Sequence, residues 1–174
     1  MLNIESSIVL IIDIQERLLN AVFDKNISNQ TQKLTNAATT LDIPIIATEQ
    51  YPKGLGNTMP DIAQFVNKTI EKTSFSAFFD IKEELETYNK KQVILCGIEG
   101  HICVYQTAID LLKNGYDVHI MKDGTCSRNQ YELDCAYELL KNEGAKLTCL
   151  EIILFEWLKS SKNPHFKTIQ QLIK

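Results

Sequence analysis

The chain has 174 residues, a formal charge of -4 and a hydrophobic fraction of 44%. That length suits one domain, spanning 1–174, with a sizeable core. The acidic balance speaks against nucleic acid or an anionic membrane as partner, since both ask for a basic face, and no apolar run approaches the ~18 residues of a membrane span.

The five cysteines, Cys96, Cys103, Cys126, Cys135 and Cys149, are odd in number and form no CxxC pair. Neither a disulfide framework nor a zinc module is implied. The three histidines are too few and too scattered for a metal cluster. MLNIESS has no basic segment leading into an apolar core, so it does not read as a signal peptide. A reduced cytoplasmic setting with free thiols is the default expectation.

In chain order, SIVLII (7–12) is continuous and β-branched, the pattern of a strand buried on both faces. In QTQKLTNAATTL (30–41), Leu34, Ala37, Ala38 and Leu41 form one helical stripe. IPIIAT (43–48) predicts the second strand, and the breaker-rich EQYPKGLGNTMP (49–60) predicts a loop. NKTIEK (67–72) predicts a short strand, IKEELETY (81–88) a helix and KQVILCG (91–97) a fourth strand. CVYQTAIDLLKNG (103–115) aligns Val104, Ala108, Leu111 and Leu112 before an Asn-Gly stop. YDVHIM (116–121) is the fifth strand, and Ser127 with Gln130 suggests a capping box for the helix carrying Leu133, Ala136, Tyr137 and Leu140. KLTCL (146–150) predicts a sixth strand before two terminal helices. Strand–helix alternation with short connections predicts a parallel sheet covered on both faces, whose crevice lies past the carboxyl ends of its strands.

Three reactive side chains fall at strand ends. Asp13 closes a run of apolar residues, where a carboxylate is costly to bury unless paired or at work; a loop anchor or helix cap fits the position equally. Lys72 ends TIEK and, taken alone, reads as a solvated lysine. Cys103 follows a glycine-flanked loop and opens a helical pattern, where free N–H groups and the helix dipole would lower the thiol pKa and hold an oxyanion. The other four cysteines have ordinary structural positions. A thiol, an acid and a lysine suffice for acyl transfer. His101, two residues before Cys103, would point away as a base, with a substrate contact left open.

VLIIDIQERLL, TEQYPKGLG, IEKTSFSAF, VILCGIEGHICVYQTAIDLLKNGYDVHIMKDGTCSR and LFEWLKSSKNPHFKTIQQLIK together resemble the isochorismatase-like cysteine hydrolase superfamily, nearly end to end. The last three are most similar to the isochorismatase domain-containing protein subgroup, a branch with poorly defined substrates. The resemblance implies a three-layer, doubly wound, Rossmann-like α/β fold with six mainly parallel strands. It also implies a triad of Asp13, Lys72 and Cys103. A non-proline cis peptide joining Ile98 and Glu99 is implied too, aiming the backbone N–H of Glu99, with that of Cys103, at the substrate oxygen.

Two departures narrow the chemistry. Nicotinamidases of the superfamily bind a divalent metal through an aspartate and histidines after the second strand; TEQYPKGLGNT has no histidine, so no metal and no cofactor are expected. True isochorismatases commonly lack the nucleophile cysteine, so Cys103 favours amide or related C–N chemistry. Gln15 matches the family's aspartate–x–glutamine pattern and either orients the loop or is plain surface. Glu49, Gln50 and Tyr51 are candidates for the substrate pocket. Phe75 and Phe78 suit an apolar wall or the core. Arg128 suits a substrate carboxylate or a helix-end pair with Asp123 or Glu132.

The expectation is a metal-independent hydrolase of a small amide, ureido or imide-like substrate, working through a thioester in a homo-oligomer. A thiol redox-responsive protein and a non-catalytic oligomeric member of the fold are the alternatives.

Overall fold

The apolar runs form six strands in the computed structural model, which describes Met1–Lys174. These are β1 (Ser7–Ile12), β2 (Ile45–Gln50), β3 (Lys68–Lys72), β4 (Gln92–Gly97), β5 (Asp117–Thr125) and β6 (Lys146–Thr148). They lie in the order β3-β2-β1-β4-β5-β6, and every neighbouring pair is parallel. The sheet is thus wholly rather than mainly parallel. An antiparallel contact occurs only outside the strands, as a bridge between Gln15 and Thr58.

The connections are α1 (Glu16–Ala21), α2 (Ile27–Thr40), the single turns α3 (Pro52–Leu55) and α4 (Pro60–Ala63), then α5 (Phe78–Tyr88), α6 (Tyr105–Lys113), α7 (Gln130–Asn142), α8 (Leu150–Leu158) and α9 (Phe166–Leu172). Period-two alternation divides the strand side chains between two cores. Val9, Ile11, Ile45, Ala47, Ile94 and Cys96 pack on α2 and α8, with Trp157 at the centre. Ile8, Leu10, Ile12, Ile46, Val93, Leu95 and Val118 pack on α5, α6 and α7 through Phe78, Ile81, Ala108, Leu111 and Tyr137. Each buried aliphatic side chain contributes about 1.5–3 kcal/mol, so both faces hold the sheet. This is the three-layer α/β fold.

The chain runs outward from β1 to β2 and β3 on one side, and from β4 to β5 and β6 on the other. The carboxyl ends of β1 and β4 therefore flank a topological switch point, where a crevice opens.

Several local expectations change. α1 has no counterpart in the sequence reading, α5 starts at Phe78 rather than 81, and β5 runs on to Thr125 past a register shift opposite Leu95 and Gly97. The cap of α7 is Asn129, whose side chain accepts the Tyr131 N–H at 2.9 Å. Ser127 is fully buried instead, its hydroxyl turned to His101. Cys103 does not begin an α-helix: it lies in a π-helical turn, Gly100–Val104, that precedes α6. No helix is long and apolar enough to cross a membrane.

Candidate active site

Asp13 leaves β1 in the left-handed region, with φ 51°, a conformation that aspartate tolerates better than most residues. Its carboxylate turns into the switch-point crevice and is wholly buried. Thr48, whose partner on β1 is Ile12, donates its hydroxyl to Asp13 Oδ1 at 2.7 Å. Lys72 Nζ lies 2.7 Å from Asp13 Oδ2, and both side chains have 0% exposure.

The ammonium is enclosed by oxygens. Besides Asp13 it donates to Gln50 Oε1 at 2.7 Å and to the carbonyls of Ser74 and Phe75 at 3.1 and 3.3 Å. Parallel pairing sets Gln50 beside Lys72. Gln50 is fixed in turn by Gln15, whose Oε1 accepts the Gln50 N–H at 2.8 Å and whose Nε2 donates to the Gln50 carbonyl at 3.1 Å. Gln15 and Gln50 therefore brace the lysine.

Cys103 is 7% exposed. Its thiol is pushed up to about 11, chiefly by burial and then by the neighbouring Asp13 carboxylate; the Lys72 ammonium and the Glu99 backbone amide pull it the other way. This overturns the expectation of a thiol acidified by a helix start. The sulfur sits in a π-turn ahead of α6, and desolvation of the thiolate outweighs every nearby positive group. The same causes place Asp13, Lys72 and the Glu99 amide around one sulfur.

The Ile98–Glu99 peptide is cis. Gly97 before it has φ 140°, and a Cβ there would collide with the Ile12 backbone, so β4 can end against β1 only with glycine. The Glu99 carboxylate meets Arg128 Nε at 2.7 Å and His101 Nδ1 at 3.5 Å. His101 also meets Ser127 Oγ at 3.0 Å and Glu132 Oε2 at 3.4 Å. Arg128 thus pairs with neither predicted helix-end partner. Asp123 is occupied by the Leu150 N–H at the start of α8, at 3.0 and 3.1 Å.

Other pocket candidates scatter. Glu49 lies between Thr48 and Gln50 and so faces the other side of the sheet, where it accepts the Thr58 N–H at 2.6 Å. Phe78 is 2% exposed and belongs to the core, not to an apolar wall. Tyr51 and Phe75 are exposed, and each is tied to Lys72 through main chain, by Tyr51 N–H to the Lys72 carbonyl at 3.2 Å and by the Phe75 carbonyl to Nζ. A cleft of about 290 Å³ opens beside Tyr51, Lys53, Lys72 and Asp80. No group of three or more His, Cys, Asp or Glu side chains is arranged to ligate a metal. Thr48 escaped the sequence reading; only the register of β1 on β2 discloses it.

The arrangement gathers a thiol, a carboxylate paired with an ammonium and the Glu99 backbone amide, a set able to attack a carbonyl and to move a proton to a leaving group.

The isochorismatase domain model matches residues 7–152. Isochorismatase domain-containing protein 2 of Xenopus laevis is 39% identical over 171 residues, covering 97% of this chain and 83% of that one. The structure of MAR1 ribonuclease from Caenorhabditis elegans superposes with a TM-score of 0.93 at 36% identity, over 99% of this chain and 91% of that one. The Escherichia coli YcaC gene product, an octameric hydrolase of unknown specificity, has the same fold, with a TM-score of 0.89 at 24% identity over 99% and 94% of the two chains. With a family model spanning most of its length and relatives this similar, the chain belongs to the isochorismatase domain family.

Proposed function

We propose that residues 1–174 act as one hydrolase domain that cleaves a C–N bond of a small amide or ureido compound through a thioester on Cys103. The observation that carries this reading is the fully buried Asp13–Lys72 pair, 2.7 Å apart, set against the Cys103 thiol. As a carbonyl substrate enters, Asp13 takes the thiol proton and the sulfur attacks the carbonyl carbon. The C=O electron pair moves to oxygen, which the backbone N–H groups of Glu99 and Cys103 receive. Collapse expels the amine, protonated by Asp13. A water then gives its proton to Asp13 and attacks the thioester, and the returning proton restores the thiol. Lys72 holds the carboxylate in place through the ion pair, and Thr48 fixes its orientation. The cycle draws on no metal or cofactor.

The raised thiol favours hydrolysis over redox sensing, because a sensor cysteine needs thiolate character at rest. The five free thiols suit a reducing cytoplasm. The exposed Tyr131 and Leu139 on α7 suit assembly into a homo-oligomer, in which a non-catalytic role would also leave Cys103 inert to substrate analogues.

The test is mass spectrometry after incubation with an electrophilic amide analogue, followed by turnover of a panel of small amides and ureides. The adduct is expected on Cys103. Labelling of another cysteine with Cys103 untouched refutes the assignment. A second reading, RNA cleavage, rests on the name of the Caenorhabditis elegans relative. The formal charge of -4 favours the small-molecule reading, and RNA turnover lost in Cys103→Ala would reverse that preference.

A further inference from the structure

Lys72 and Cys103 reach the crevice from separate elements, and something must fix the gap between them. The loop after β3, residues 73–77, carries the Ser74 and Phe75 carbonyls that receive the Lys72 ammonium. That loop is bound to α6 at two points. Thr107, fully buried, accepts the Ala77 N–H on its hydroxyl at 2.9 Å and donates the same hydroxyl to the Cys103 carbonyl at 2.7 Å. One turn further along, Asp110 Oδ2 accepts the Ser76 hydroxyl at 2.7 Å, and that hydroxyl takes the Phe78 N–H at 3.3 Å.

A threonine bonded to the carbonyl four residues back is ordinary helix chemistry. The second bond is not. It makes the Thr107 hydroxyl a junction, its proton on the nucleophile's carbonyl and its lone pair on the lysine's loop. A continuous path results: Lys72 Nζ, the Ser74 and Phe75 carbonyls, the Ala77 N–H, Thr107 Oγ1, the Cys103 carbonyl.

Resting on the hydrolase reading above, we propose that Thr107 is a positioning residue of the reaction, holding the loop around Lys72 and the turn bearing Cys103 at a fixed separation, with Ser76–Asp110 as a second tether. Valine has the shape of threonine without the hydroxyl. In Thr107→Val the buried Ala77 N–H loses its acceptor and the loop is free to draw the ammonium away from the sulfur. Lys72 is one of the groups that favour the thiolate, so its retreat slows any reaction through the thiolate.

The experiment measures carbamidomethylation of Cys103 by iodoacetamide at pH 8.5, read by peptide mass spectrometry, with exposed Cys135 in the same sample as the reference. Thr107→Val is expected to slow Cys103 relative to Cys135 by about tenfold, the equivalent of roughly one pKa unit, while Thr107→Ser stays within about twofold. A merely structural threonine gives the opposite sign: loosening exposes a buried sulfur, and alkylation quickens or stays level. That result overturns the proposal. Should Thr107→Val fail to fold, Ser76→Ala decides, with about a threefold slowing expected, roughly half a pKa unit, and an unchanged rate counting against the tether. The readout needs no substrate. Absence of amide turnover by the unmodified protein sinks the hydrolase reading and leaves the alkylation ratio standing, whereas turnover with an unchanged ratio sinks the role of Thr107 alone.

Discussion

Replacing Lys72 by methionine keeps a long unbranched side chain at the end of β3 and deletes one charge from a pair with no solvent exposure on either side. At an effective dielectric constant of about 20, unit charges 2.7 Å apart attract by about 6 kcal/mol, offset by the cost of desolvating both. Removing one partner leaves the other charge buried alone, which costs about 3–5 kcal/mol. Lys72→Met and Asp13→Asn should therefore each lose that much stability. The double variant should lose far less than their sum, because neither charge is then stranded. Urea unfolding of the four proteins at pH 7 yields the coupling energy, expected to exceed about 2 kcal/mol. Additive losses, within about 0.5 kcal/mol, would refute the claim that this pair is a single coupled unit. All three variants are expected to lack hydrolytic activity, so the stability data test the electrostatics independently of the chemistry.

Four further outcomes follow from the structure. With its thiol at about 11, Cys103 in the free protein should react with iodoacetamide about tenfold faster per pH unit between 7 and 10, and a plateau near neutrality would contradict the burial argument. The sign for stability is that of a raised acid: the contribution of Cys103 is complete below its ordinary value of 9.0 and is lost as pH rises towards about 11, so Cys103→Ala should show a flatter urea-midpoint profile over that window. Gly97→Ala has no backbone escape, since its Cβ meets the Ile12 carbonyl and its φ is 140°; expression as insoluble or markedly destabilised protein is expected, and a melting temperature equal to wild type would count against the close approach of β4 to β1. Arg128→Ala removes a largely exposed partner from Glu99 and should cost only about 1 kcal/mol by urea unfolding, while any substrate carboxylate bound by its guanidinium would show as a raised KM at little changed kcat.

The sheet was legible because β1 and β4 are runs of β-branched and aliphatic residues and β2 and β5 carry shorter apolar stretches, as a parallel sheet buried on both faces demands. Asp13, Lys72 and Cys103 were each visible at a strand end, but nothing in their spacing sets a carboxylate 2.7 Å from an ammonium 59 positions along the chain; the family pattern supplied that link. Alternation along β2 alone assigns Glu49 and Gln50 to opposite faces, whereas which face meets Asp13 and Lys72 depends on the pairing of Gln50 with Lys72 and Thr48 with Ile12. The partner of Arg128 and the cap of α7 were misread for a related reason. Arg128 is drawn to Glu99 and Ser127 to His101 by tertiary contacts that local preference does not encode, which leaves the α7 cap to Asn129.

The direction of the Cys103 shift shows most plainly what sequence withholds. A helix start is a local feature and can be read from Gly100 to Leu112, but burial is a property of the assembled layers and here it dominates. For the proposed chemistry that dominance is useful. A thiol held neutral beside the Asp13–Lys72 pair has its proton acceptor in place, and in the proposed reaction it becomes nucleophilic as a carbonyl oxygen takes up the Glu99 and Cys103 amides and the negative charge passes from sulfur to oxygen. In that reading charge develops toward fixed N–H groups, while Lys72 is held by Asp13 and by the loop tethered through Thr107. On the same reading Asp13, held by Thr48 and by a Lys72 enclosed by four oxygens, receives the thiol's proton and returns it.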